Sequence, residues 1–184
     1  MRSTLMLLVL GGAFVSLTLI FIYNSLVAKR NMVRNAFSSI DVNLKRRHDL
    51  IPNLVETVKG FAKHEQETLS KLIEARQEAG RPDLSESARL RAEEKVGPRL
   101  QQVVALAESY PELKSNEHFM NLQRNLTEAE AQISAARRAY NSAVYQINNA
   151  VESFPSNLIA GAFGFQRHDF FEATESAREP VDVS

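Results

Sequence analysis

Cysteine is absent from these 184 residues, so no disulfide, thiolate nucleophile or cysteine-ligated metal can contribute to what the chain does. Glycine and proline are scarce, seven and six, and fall mostly outside the stretches of regular apolar spacing. That is the composition of a helical protein with few turns. Alternation of apolar and polar residues never runs long enough to make a useful strand. Net charge is missing too. Twenty-two Lys and Arg balance 22 Asp and Glu, which leaves no global field to draw in nucleic acid or an acidic substrate. Catalytic spacings are equally lacking. The residues three before His48, His64, His118 and His168 are Lys45, Phe61, Ser115 and Phe165, so the Glu-x-x-His pair of a di-metal bundle is not there. His64-Glu65 opens like a zinc helix, but Thr68 stands where the second histidine belongs. No G-x-S-x-G, phosphate-binding glycine loop or dinucleotide fingerprint occurs. The chain is expected to have no catalytic residue, no metal site and no cofactor.

What is present begins at the N-terminus. From Ser3 to Ala28 no side chain is charged, and Leu5 to Tyr23 is almost wholly apolar. As a helix that run spans about 28 Å, close to the hydrocarbon thickness of a bilayer. It exceeds the roughly 7–15 apolar residues of a signal peptide, and Leu26 spoils the nearest small-x-small cleavage site. A retained anchor over residues 1–28 is therefore expected, with the bilayer as its first partner. Tyr23, Lys29, Arg30 and Arg34 would lie at the membrane interface. Basic residues crowd the far side of the run, with Lys45, Arg46 and Arg47 further out. The positive-inside rule then puts the N-terminus outside and the larger part of the chain in the cytoplasm.

About 155 residues remain, enough for one domain, 29–177, with a real core. Apolar residues recur at three and four from Leu26 through Val33, Phe37, Ile40, Leu44, Ile51, Leu54, Val58, Leu69 and Leu72 to the glycine–proline stop at Gly80-Arg81-Pro82. No turn signal separates this stripe from the anchor, so one helix from Leu5 to Ala79, about 110 Å long, is predicted. Pro52 should kink it and serve as a hinge. A second helix starts at Asp83 or Ser85, with Gly97-Pro98 able to split it, and ends before Pro111. Ser115 or Asn116 caps a third, which Phe154-Pro155 closes, and Ser156 can cap a short fourth through Ala160. The expected architecture is all-α: one transmembrane helix continuing into an elongated antiparallel bundle of three long helices plus a short C-terminal one. Residues 178–184 would be a flexible tail.

Two segments concentrate the remaining information. Lys45, Arg46, Arg47 and His48 cover nearly a full helical turn, so they cannot share one solvent face. At least one should reach an acid on a neighbouring helix or cover apolar surface with its stem. Near the other end, five of the ten phenylalanines fall between Phe154 and Phe171. They form either a strap that completes the core or an apolar patch awaiting a second subunit, a partner or the membrane interface.

Read together with the anchor, these segments resemble the LemA family of bacterial membrane proteins. The likeness rests on Tyr23-Asn24-Ser25-Leu26-Val27, Asp41-Val42, Leu44-Lys45-Arg46-Arg47-His48-Asp49-Leu50-Ile51-Pro52-Asn53-Leu54-Val55 and Val58-Lys59-Gly60-Phe61-Ala62. It returns at Ala107-Glu108-Ser109-Tyr110-Pro111-Glu112-Leu113-Lys114, Ala135-Ala136-Arg137-Arg138-Ala139-Tyr140-Asn141, Phe154-Pro155-Ser156-Asn157-Leu158-Ile159-Ala160-Gly161 and Phe163-Gly164-Phe165. His48 stands where many relatives carry tyrosine, and Gly97-Pro98 interrupts a stretch usually free of proline. The resemblance implies a bacterial inner-membrane protein with one span, its N-terminus outside and its bundle cytoplasmic. It implies no established catalytic activity, and membrane metalloproteases or other small membrane proteins as companions.

The function expected is thus that of a non-enzymatic membrane scaffold or adaptor, binding a second copy of itself, a membrane protease or another membrane protein. Lys45, Arg46, Arg47, Asp49 and Asn53 near the proline, with Asn157, Phe163 and Phe165, would make those contacts. The competing class is a signal-transducing or ligand-sensing bundle that tilts at Pro52.

Overall fold

A computed structural model describes residues 2–84 and 86–171. Among them are six helices and no strand: α1 (Arg2–Phe61), α2 (Gln66–Ala79), α3 (Glu86–Leu106), α4 (Pro111–Lys114), α5 (Glu117–Glu152) and α6 (Ser156–Phe163). The expected tail over 178–184 and the Ser85 start of the second helix lie outside the described residues. Contacts divide the rest into two units, 2–38 with 136–171 and 39–135, and α1 and α5 each contribute to both.

In the 39–135 unit the apolar stripes converge as their spacing requires. Ile51, Leu54, Val55, Val58 and Ala62 meet Leu69, Leu72 and Ala79, then Val96, Leu100 and Val103, then Phe119, Leu122 and Leu126, all buried in one core. Here the long first helix departs from expectation. It ends at Phe61; the Glu65 amide bonds to the Ala62 carbonyl at 3.2 Å, and α2 begins at Gln66. α2 then returns beside α1, bringing Arg76 to the backbone of His48. Ala62 and Leu69 are seven residues apart, so a hairpin at this point keeps both arms in phase with a single continuous stripe.

Pro52 lies within α1, which runs on past it. A proline at 52 has no N–H to give the carbonyl of His48, four residues earlier. Arg76 of α2 supplies the missing donor, its Nε bonding to the His48 oxygen at 2.9 Å. The hinge position is therefore bridged from the neighbouring helix. α3 likewise continues through Gly97-Pro98 without splitting. Asn116 caps α5 as predicted, its Oδ1 accepting the Phe119 amide at 3.0 Å. Ser156, by contrast, is no cap. Its hydroxyl donates to the carbonyls of Ala150 (2.6 Å) and Ser153 (2.9 Å), tying α6 to the end of α5.

In the other unit, α1 is exposed from Arg2 to Phe21, and Leu26, 1% exposed, is the first apolar side chain on it to be buried. The hydroxyls of Ser16 and Thr18 bond back to the carbonyls of Gly12 and Phe14, each at 2.9 Å, so neither is left unpaired within the apolar run. By length and composition this helix can cross a membrane.

Candidate functional site

The basic turn of α1 fans out toward two helices. Arg47 is 2% exposed and donates through Nη1 to Glu130 of α5 at 2.8 Å. Its Nη2 reaches the Glu93 carboxylate on α3 and, at 3.2 Å, the Glu93 carbonyl. His48 Nε2 lies 2.8 Å from the other Glu93 oxygen. Arg46 extends to Glu128 of α5 at 3.0 Å, and Asp41 pairs with Arg89 of α3. One turn of one helix thus holds acids on two others. Burial alone would raise the Glu93 carboxyl; the imidazole of His48 and the guanidinium of Arg47 outweigh it and hold Glu93 below the ordinary carboxylate range.

This geometry sorts the residues expected to dock a partner. Arg47 is inside the bundle and cannot form part of an exposed surface; its role is an internal pair. Lys45 and Asp49 are exposed and 3.9 Å apart, Arg46 is partly exposed, and Asn53 faces solvent. An open cleft of about 390 Å³ lies nearby, lined by Leu100, Val104, Phe119, Gln123, Leu126 and Glu130. Among the described residues no group of three or more His, Asp or Glu side chains is arranged to hold a metal ion.

The aromatic segment resolves into a buried strap and an exposed foot. After α6, Gly164 adopts φ 70°, the left-handed helix stop that favours glycine, and the Phe165 amide bonds back to Ala160 at 2.9 Å. Phe165 turns inward, 8% exposed, beneath the Arg30 guanidinium, which lies 5.1 Å from the ring centre. The chain then runs extended along α5, held by two asparagines. Asn148 donates to the His168 carbonyl and accepts its amide, both at 2.9 Å. Asn141 does the same for Phe171, at 3.0 and 2.8 Å. Phe171 packs edge-on to Tyr140 and lies under Arg137, 4.7 Å from the ring centre. Phe163 remains outside, its ring 4.9 Å from that of Tyr23, and Asn157 is exposed. Of the interface residues, Arg34 is exposed while Lys29 and Arg30 are half-buried.

The sequence profile of the LemA family matches residues 36–184, which takes in both the charge cluster and the strap. The chain belongs to the LemA family. It is 26% identical to Protein LemA of Metamycoplasma hominis over 161 residues, 88% of this chain and 74% of that one. It is also similar to magnetosome proteins: 26% identical to MamQ 2 of Paramagnetospirillum magneticum and 24% to MamQ of Magnetospirillum gryphiswaldense, each alignment covering 92% of this chain and 71% of the relative. None of these relatives is named for an enzyme activity. Within this LemA-family chain, Glu93, Glu130 and Asn148 do much of the organising, yet none stands out in the sequence. Glu93 and Asn148 are polar residues at positions that continue a buried helical face, which was the available signal.

Proposed function

We propose that this LemA-family chain is a non-enzymatic, membrane-anchored scaffold or adaptor that binds partners through the exposed face of its helices. The observation that carries the reading is how its ionisable groups are used. Arg47, His48, Glu93 and Glu130, the densest cluster of chemistry in the unit, are engaged with one another across three helices. Lys45, Arg46, Asp49 and Asn53 remain at the surface beside them. Exposed pairs such as Lys45–Asp49 contribute little stability and can exchange for a partner's charges at small cost. A second copy of the chain is the first partner to test, then another membrane protein.

The experiment is the absolute mass of the full-length protein in mild detergent, by light scattering with the detergent contribution subtracted, beside a form starting at Lys29. A defined oligomer supports self-assembly, and its loss on truncation assigns the contacts to the anchor. A monomer in both samples rejects self-assembly, and the adaptor reading then requires a partner captured by crosslinking in cells. The ligand-sensing alternative has one observation in its favour, the cleft that reaches Glu130, a partner of Arg47.

A further inference from the structure

α6 presents two faces. Ile159 and Ala160 are buried inward. Outward lie Leu158 and Phe163, each 64% exposed, with Phe154 just before the helix at 80%. Large apolar side chains at that exposure require a covering surface. Their position indicates which one. Phe163 packs at a tilt against Tyr23, the residue that ends the apolar run of α1. Below that level α1 is exposed from Arg2 to Phe21, along a helix fit to sit in hydrocarbon; at Leu26 the first of its apolar side chains is buried by the protein itself. The patch is therefore continuous with the bilayer-facing surface and lies where that surface stops. Basic residues lie just beyond: Lys29 and Arg30 follow within two turns of α1, and Arg34 about one turn further. Aromatic rings beside a basic collar are the chemistry of the headgroup boundary.

We propose that α6 is a second membrane contact, an interfacial helix whose Phe154, Leu158 and Phe163 sink into the headgroup–acyl boundary beside the foot of the membrane helix. The inference rests on α1 being a membrane span, and it assigns Phe163 to lipid instead of to a protein partner. A membrane-inserted α6 gives the chain two points of attachment, one crossing the bilayer and one lying in its surface. Two contacts at one level restrict how the first unit can tilt and rotate on the membrane.

The chain has no tryptophan, so one introduced indole reports one site. Full-length Phe163→Trp, Leu158→Trp, Phe14→Trp and Tyr145→Trp are reconstituted into phosphatidylcholine vesicles containing a minority of phosphatidylglycerol. The lipids are brominated either near the headgroup end of the acyl chain or near its methyl end. Phe163→Trp and Leu158→Trp should emit to the blue and lose intensity to the shallow bromines. Phe14→Trp, in the anchor, should be quenched by the deep bromines, and Tyr145→Trp, exposed on α5, by aqueous acrylamide. If Phe163→Trp and Leu158→Trp behave like Tyr145→Trp while Phe14→Trp is quenched by lipid, the proposal is overturned and the anchor stands. Blue emission insensitive to either bromine also overturns it, since a protein surface would then cover the patch. Failure of Phe14→Trp to respond to lipid rejects the span itself and the interfacial helix with it. Circular dichroism of each variant confirms that the helices persist.

Discussion

Arg47 illustrates how a single residue can be given a wrong audience by its neighbours in sequence. Among three basic residues and a histidine it looks like part of a charged surface, yet it is the most deeply buried of the four. A buried guanidinium survives only with its charge matched, and Glu93 and Glu130 match it. Glu93→Gln leaves the buried arginine with only the partly exposed Glu130 as counter-charge and should cost about 1–3 kcal/mol of stability, whereas Arg47→Met with Glu93→Leu together should recover most of that loss. Acid should act on the same bond. Glu93 titrates below its ordinary value of 4.5 in the folded chain, so its contribution is fully present above that pH and is lost as pH falls through the depressed folded-state value. Thermal unfolding followed from neutral pH down to about pH 3 should therefore steepen on the acid side in the native chain and flatten in Glu93→Gln. An identical acid limb in both would remove Glu93 from the account.

At the scale of elements, the strap from Phe165 to Phe171 depends on a match of two rises. Seven residues of α5 between Asn141 and Asn148 cover about 10.5 Å, and three extended residues between His168 and Phe171 cover about 10 Å. Each asparagine can therefore bond one strap residue through both its amide and its carbonyl. Asn148→Ala should remove one clip and strand two backbone groups, weakening the strap locally by about 1–3 kcal/mol. Hydrogen exchange at the His168 amide should speed up about tenfold or more while α5 stays protected, and unchanged exchange would mean that ring packing alone holds the strap. This device was not legible in the sequence, because an asparagine on a helix looks the same whether it faces water or a backbone. The turn after Phe61 was hidden for another reason. No described non-glycine residue has positive φ, so the turn needs no glycine at its apex, and Ala62 and Leu69 preserve the helical phase across it. What could be read was what depends on local spacing alone: the apolar stripes, the Asn116 cap, and a basic run too broad for one face. Which acid meets which arginine depends on how the helices fold back, and local spacing does not carry that information.

For the whole molecule, with α1 read as a membrane span, the question that governs every partner is which side of the membrane carries the helices beyond it. The apolar run of α1 has Arg2 at one end, and Lys29, Arg30 and Arg34 at the other. Translocation across a membrane resists Lys and Arg near the ends of a span, so the larger count should stay in the cytoplasm with the bundle and leave the N-terminus outside. The absence of cysteine makes this directly measurable, since any thiol introduced is the only one in the chain. Ser3 and Val42 are both exposed, one before the apolar run and one after Arg34, and neither is buried in a core. Ser3→Cys should react with a membrane-impermeant maleimide on intact cells stripped of their outer barrier. Val42→Cys should react only after the membrane is opened. The reverse pattern would place Lys45, Arg46, Asp49 and Asn53 outside the cytoplasm. A partner reading those charges would then have to be extracytoplasmic, and a bundle exposed there would strengthen the ligand-sensing alternative over the scaffold.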